Sequence, residues 1–294
     1  MDKRKSLLGR LSLLGAALIW GTSFVILKNA LDSIAPMWIL AIRFTVAALL
    51  LGVASRERLW ALGKTALRGG VLMGLSLAAA YIIQTYGLLY TTPGKNAFLT
   101  DSYCILVPFM AWGLYRRKPT AANILAALLC ITGIGFVSLS DMDAGINVGD
   151  VLTLICGVFY GLQIILVEHY VGPGDALSVS AVQFAVGAIC CWIGALLFEP
   201  APGVISPSLW LSIAYMSVAC TALCFFLEAW GMKYTSSAVA AVILTLESVF
   251  GTVISVLFYH ERLTVKILLG FALIFISVLI SELKPELIRK DKTI

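Results

Sequence analysis

Charge is what this sequence has least of. Asp, Glu, Lys and Arg make up 13% of the 294 residues, where a soluble domain carries roughly a quarter. Hydrophobic residues reach 60% and the mean hydropathy is +0.97. Such a chain cannot cover its apolar surface with polar side chains, which excludes an ordinary soluble globule. In a bilayer the hydrocarbon is itself the solvent for that surface. Histidine is nearly missing: His169 and His260 fall at expected helix ends, away from any Ser or Cys arrangement suggesting a triad. The seven cysteines (Cys104, Cys130, Cys156, Cys190, Cys191, Cys220 and Cys224) all lie in apolar stretches, form no C-x-x-C pair and have no His nearby. They read as small apolar filler, and neither a metal nor a disulfide is expected. A phosphate-binding Gly-rich loop with Lys is also absent, so ATP is not the direct energy source and no cofactor is expected. Alternation at period two is missing, which excludes a membrane β-barrel.

What is present is a series of ten apolar stretches, at 7–29, 35–54, 69–91, 96–115, 121–140, 149–168, 176–198, 207–232, 235–259 and 263–282. Each is close to the 20 or so residues a spanning helix needs, and helices satisfy their own backbone inside hydrocarbon. The connections are short, leaving no room for an appended soluble domain. Lys3-Arg4-Lys5 before the first stretch could suggest a signal peptide, but no small-x-small cleavage site follows, and the run is read as a retained first span. With the N-terminus inside, sixteen Lys and Arg fall on the cytoplasmic side, including Arg56, Arg58, Arg116, Arg117, Lys118 and Lys233. Four fall outside: Lys28, Lys95, Arg262 and Lys266. Both termini are therefore expected in the cytoplasm, with the Asp141, Asp143 and Asp150 loop outside. The misfit is His260-Glu261-Arg262, also placed outside. The net charge of +5 reports topology and not nucleic-acid binding.

The chain also repeats itself. An offset of 140 pairs Trp20-Gly21 with Tyr160-Gly161 and Arg43-Phe44 with Gln183-Phe184. An offset of 144 pairs Tyr86-Gly87 with Trp230-Gly231, Tyr90-Thr91 with Tyr234-Thr235, Tyr115 with Tyr259 and Thr120 with Thr264. One length change after the second span reconciles the two. The halves, 1–145 and 146–294, each hold five spans. Five is odd, so the second half enters the membrane from the opposite side. The fold class is an all-α membrane protein of ten transmembrane helices in two inverted five-helix repeats, a plan typical of secondary transporters.

Leu246-Glu247-Ser248-Val249-Phe250, Glu261-Arg262-Leu263-Thr264 and Gly270 resemble the last two helices of the EamA-type drug/metabolite transporters. That family has a Glu-Pro-Val-Phe-like turn, then Gly-Glu-Arg-Leu; here Ser248 replaces the usual Pro and His260 the usual Gly. Trp20-Gly21-Thr22-Ser23-Phe24 resembles the family's first helix, and Asn96-Ala97-Phe98-Leu99-Thr100 with Val107-Pro108 its fourth. The resemblance covers essentially the whole chain. It implies a central cavity lined mainly by helices one, three, four, six, eight and nine, and transport of small metabolites, often export. It implies no particular substrate.

Ionisable residues deep in spans are costly and mark function by default. They are Arg43, Asp101, Glu228 and Glu247. One cation neutralises one acid, leaving two carboxylates to be protonated, wetted or occupied by a cation; burial favours a carboxylate's protonated form. Glu228, Glu247 and Asp101 are the coupling candidates, and Arg43 is read as one half of a structural ion pair. A second pattern survives the repeat. Trp20 and Ser23 match Tyr160 and Gln163, and Tyr81 and Gln84 match Phe225 and Glu228, each an aromatic three residues before a polar group on the same helical face. Converging by symmetry, the pairs would line a pocket; singly, each could be helix packing. Asn96, Thr100 and Tyr103 share a face of helix four, and Tyr103 corresponds to Glu247. Pro108, matched by Thr252, predicts an asymmetric bend. Gly70-x-x-x-Gly74 and Gly157-x-x-x-Gly161 predict close helix crossings.

The expectation is a secondary transporter of a small-molecule solute in the cell membrane, with the lipid bilayer as its other partner. Its mode would be alternating access, with proton-coupled export as first choice and an uptake carrier or exchanger as near alternative. From another class, a membrane-embedded lipid-modifying enzyme or scaffold stays open. Solute, direction, coupling ion and oligomeric state are not written in the sequence.

Overall fold

Among the described residues ten helices, some of them interrupted, form in the order the apolar stretches set, seven of them long and apolar enough to cross a membrane and three shorter. In the computed structural model, which describes residues 3–116, 118–138, 147–171, 176–234 and 237–290, five are unbroken in the first half or at its junction. These are α1 (Lys3–Ala30), α2 (Pro36–Ala54), α3 (Lys64–Tyr90), α5 (Ala121–Ser138) and α6 (Val148–Tyr170). α4 comes in two pieces, Pro93–Asp101 and Tyr103–Tyr115. α7 (Ala176–Phe198) and α10 (Val265–Lys290) are continuous, whereas α9 is split into Ser237–Leu244 and Leu246–Phe258. α8 runs Pro207–Ser217, passes through a π-helical segment at Val218–Leu223, and continues as Cys224–Met232. A short helical turn, Arg56–Trp60, joins α2 to α3. No strand occurs among the described residues. Arg117, Asp141, Asp143, Thr235 and Lys292, on which parts of the topology and repeat register rest, lie outside them.

Local chemistry sets the helix starts. Pro36, Pro93 and Pro207 stand in the first turn of α2, α4 and α8, where a missing N–H removes no helical bond. Thr92, Asn147 and Ser206 cap α4, α6 and α8 through their side chains. Polarity is arranged for hydrocarbon: Leu196, Leu197, Phe198 and Leu211 point outward, while Thr85, Asn96, Thr153, Ser217 and Thr221 are fully buried between helices.

The two repeats interlace. α1 packs against α8 and α9 of the second repeat, and its counterpart α6 packs against α3 and α4 of the first. α2 pairs with α7, and α5 with α10. The correspondence reaches single atoms. Ser76 Oγ donates to the Phe159 carbonyl at 2.8 Å, and its equivalent Cys220 Sγ lies 3.6 Å from the Ile19 carbonyl, the equivalent of Phe159. A Cβ on Gly87 would stand 3.0 Å from the Gly149 carbonyl oxygen, and one on its equivalent Gly231 would stand 2.8 Å from that of Gly9. The matched Tyr-Gly and Trp-Gly pairs therefore mark where α3 meets α6 and α8 meets α1.

Two helices are interrupted at positions the sequence did not flag. The interruption of α4 falls at Ser102, six residues before Pro108, and α9 is interrupted at Thr245, within one residue of the equivalent position. The two breaks thus fall one residue apart in the repeat register, and Pro108 lies inside the second piece of α4. At both, a hydroxyl turns back on the ladder: Ser102 Oγ donates to Leu99 O at 2.7 Å, and Thr245 Oγ1 to Val242 O at 2.9 Å. Such back-bonding competes with the helical bond, although the same contact at Thr22 and Ser277 leaves α1 and α10 continuous.

Candidate functional site

Trp20 on α1, Tyr81 on α3, Tyr103 on α4, Tyr160 on α6 and Phe225 on α8 converge at mid-bundle. Ring centres are 5.6 Å apart for Tyr81 and Tyr160, 5.9 Å for Tyr103 and Tyr160, and 5.7 Å for Trp20 and Phe225. Phe44 and Phe184 back Tyr81 and Phe225 at 5.2 and 4.8 Å. All five convergent rings are half-buried although they sit mid-helix and face one another. Each keeps some surface that no neighbour covers.

The side formed by α3, α4 and α6 is tied together by hydrogen bonds. Tyr160 Oη donates to Gln84 Oε1 at 2.7 Å, and Gln84 Nε2 donates to Thr100 Oγ1 at 2.8 Å. Thr100 in turn donates to the Asn96 carbonyl at 2.7 Å, and Asn96 Nδ2 donates to Thr153 Oγ1 at 2.8 Å. This chain ties α6 to α3, α3 to α4, and α4 back to α6. Asn96 is fully buried within it, so it braces the wall without facing the centre. Ser23 is buried on α1, and Gln163 points to α7, where it donates to Gln183 at 3.1 Å.

The α8 and α9 side carries Glu228 and Glu247. Asp101, Glu228 and Arg43 all lie within electrostatic reach of Glu247, and the Ser248 hydroxyl stands beside Asp101. Glu228 and Glu247 have no hydrogen-bond partner among the described residues. Arg43, expected to tie α2 to an acid, is anchored differently. Its Nε donates to Thr221 Oγ1 at 2.5 Å, its Nη2 reaches the Cys220 carbonyl at 3.5 Å, and its guanidinium lies 5.0 Å over the Tyr81 ring. No carboxylate is within ion-pair distance of it among the described residues.

The π segment of α8 explains that anchoring, and the sequence reading passed over it. In a π turn the backbone bonds step to i−5 and loosen the local ladder. Here Thr221 Oγ1 donates to Met216 O, five residues back, at 2.9 Å. The Cys220 carbonyl accepts from both Trp20 Nε1, at 2.7 Å, and Arg43. Cys220 contributes its backbone and not its thiol, so no side-chain signal could have flagged it. The equivalent stretch of α3, from Gly74 to Ala79, is ordinary α-helix.

At the end of the bundle away from the termini, Glu261 accepts from Gly94 N at 2.9 Å, from Ser255 Oγ at 2.5 Å and from Thr92 Oγ1. The residue that looked misplaced outside is therefore buried against the N-terminus of α4. An apolar groove of about 400 Å³ between α4, α9 and α10, lined by Phe98, Thr252, Leu257 and Phe271 among others, has almost no polar group to orient a solute. The convergent centre is the better site.

The sequence pattern of the EamA-like transporter family matches residues 7–139 and 147–283. An uncharacterized transporter of Archaeoglobus fulgidus is 31% identical over 95% of this chain and 87% of its own length. The uncharacterized transporter YoaV of Bacillus subtilis is 22% identical over 90% of this chain and 93% of its own. One solved crystal structure covers the whole of both chains at a TM-score of 0.67 and 18% identity, a likeness of fold.

Proposed function

The chain belongs to the EamA-like transporter family and is a membrane transporter, and from that premise we propose that it exports a small organic solute across the cell membrane in exchange for protons. Both termini lie in the cytoplasm in this reading, and the solute binds at the aromatic centre between α1, α3, α4, α6, α8 and α9. One observation carries it: Glu228 and Glu247 lie within electrostatic reach of one another with no hydrogen-bond donor among the described residues. A carboxylate removed from water must be protonated or matched by a cation, so a group that takes a proton when the site is empty can give it up when solute arrives. Inverted repeats supply the motion, since exchanging the two repeats' conformations turns the site from one side to the other. The matched breaks at Ser102 and Thr245 are points about which α4 and α9 can bend. The aromatic walls with few polar groups fit binding and release of a solute better than chemistry on a lipid.

The test is a pair of assays on the same reconstituted variants. Glu228→Gln and Glu247→Gln fix a neutral side chain of nearly unchanged shape. Transport driven by a pH gradient is expected to fall at least about tenfold while solute-for-solute exchange persists at saturating solute, because exchange requires no net proton movement. Normal gradient-driven transport in both variants would remove these two carboxylates and leave Asp101.

A further inference from the structure

We propose that the solute is an organic amine, bound as its ammonium ion against Glu228 and Glu247 between the aromatic rings; this rests on the transporter reading above.

The repeat provides its own control. Gln84 and Glu228 are equivalent positions, one in each half. Gln84 is satisfied twice, by Thr100 and by Tyr160. Glu228 has neither partner, for nameable reasons. The equivalent of Thr100 is Leu244, which has no hydroxyl. The equivalent of Tyr160 is Trp20, whose indole N–H is taken by the Cys220 carbonyl in the π segment. Glu247 likewise stands where the first repeat has Tyr103. One wall thus ties its side chains to one another, with only the Asn96 Oδ1 acceptor left over, and the other offers two carboxylates that lack donors among the described residues. The missing donors belong to whatever enters.

The surroundings specify its charge. Trp20, Tyr103, Tyr160 and Phe225 present rings, whose faces attract cations most strongly when desolvated. A primary ammonium carries three N–H donors, enough to meet both carboxylates. A zwitterion or an anion would also need a cation, and Arg43 is the one within electrostatic reach of Glu247 among the described residues. It is only 2% exposed and is already committed to Thr221, Cys220 and the Tyr81 ring. A solute carboxylate would have no partner. The site therefore selects amines over the corresponding amino acids. In export against protons, the ammonium and the proton compete for the same carboxylates.

The experiment uses the full chain in lipid nanodiscs and one phenyl scaffold in four charge forms: phenethylamine, 2-phenylethanol, phenylalanine and 3-phenylpropionate, with tyramine and cadaverine as further amines. Titration calorimetry is expected to give at least one amine a Kd about tenfold or more below those of the alcohol, the amino acid and the acid. Glu228→Gln is expected to abolish that preference. Phenylalanine or 3-phenylpropionate binding as tightly as the amines would overturn the proposal, as would an absence of binding by all three amines. The wild-type series depends on no variant folding correctly. Counterflow of any other solute by the same protein would preserve the transporter reading while the amine assignment fell.

Discussion

His260 and Arg116 are the two non-glycine residues with positive φ among those described, at 55° and 56°. They are equivalent in the repeat, each just past the end of a broken helix, α9 and α4. The left-handed conformation costs an L-residue about 1–2 kcal/mol, which explains why the family pattern resembled here has Gly before Glu-Arg-Leu. His260→Gly is expected to raise the thermal midpoint in detergent by relieving about 1 kcal/mol of that strain, with the Glu261 bonds kept. A lowered midpoint would show that the imidazole contributes more than the backbone loses. Charged residues at this end of the bundle follow helix polarity. Glu199 accepts from Met37 N at 3.0 Å at the start of α2, Glu261 does the same for α4, and Lys28 Nζ donates to the Leu88, Leu89 and Thr91 carbonyls at the end of α3. Acids meet N-termini and a cation meets a C-terminus, as the macrodipole favours. The sequence identified the buried acids and aromatics one by one. It could not show that Arg43 is held by a hydroxyl and a carbonyl, because backbone acceptors leave no trace in residue type.

Among elements, the two Gly-x-x-x-Gly runs look alike in sequence and differ in space. A Cβ on Gly74 would stand 2.7 Å from the Gln183 carbonyl oxygen and 2.7 Å from Val186 Cβ, so α3 crosses α7 at backbone contact. A Cβ on Gly157 would meet Tyr103 Cβ at 3.6 Å, an ordinary contact. Gly74→Ala is therefore expected to destabilise by about 1–3 kcal/mol through overpacking. Gly157→Ala should be neutral or stabilising by about 0.5–1 kcal/mol, because the helix backbone gains order without a clash. Thermal melts of the two variants in one detergent decide it, and equal losses would contradict the packing described. The π segment of α8 belongs to the same scale. Its residues, Val218-Ala219-Cys220-Thr221-Ala222-Leu223, carry no proline or glycine. Its register is set by what docks on it, Trp20 and Arg43, and so it could not be read along the chain. The breaks at Ser102 and Thr245 were half legible: hydroxyls that can bond backward are visible in sequence, but whether they do depends on neighbours.

For the molecule as a whole, interlacing makes the halves interdependent: α1 finds its partners in the second repeat and α6 in the first. Sixteen cations against four predict both termini in the cytoplasm. In a cysteine-less background, a cysteine near Asp143 is expected to react with a membrane-impermeant thiol reagent added to intact cells, and one near Arg117 only after the cytoplasmic face is exposed. Labelling of both from one side would contradict ten spans. Composition alone dictated a bilayer protein, since 60% apolar residues leave water no surface to wet, and apolar run length dictated the number of helices. The two offsets established the duplication, and the odd number of spans per half its inversion. These properties depend on what a residue is and how often it recurs. Which wall of the centre is tied by hydrogen bonds, that of α3, α4 and α6, and which leaves carboxylates open was decided only by tertiary structure. Leu244 in place of Thr100, and the indole of Trp20 turned to the Cys220 carbonyl, act on Glu228 across the bundle. A partner's absence is a fact about space, and the chain records only order.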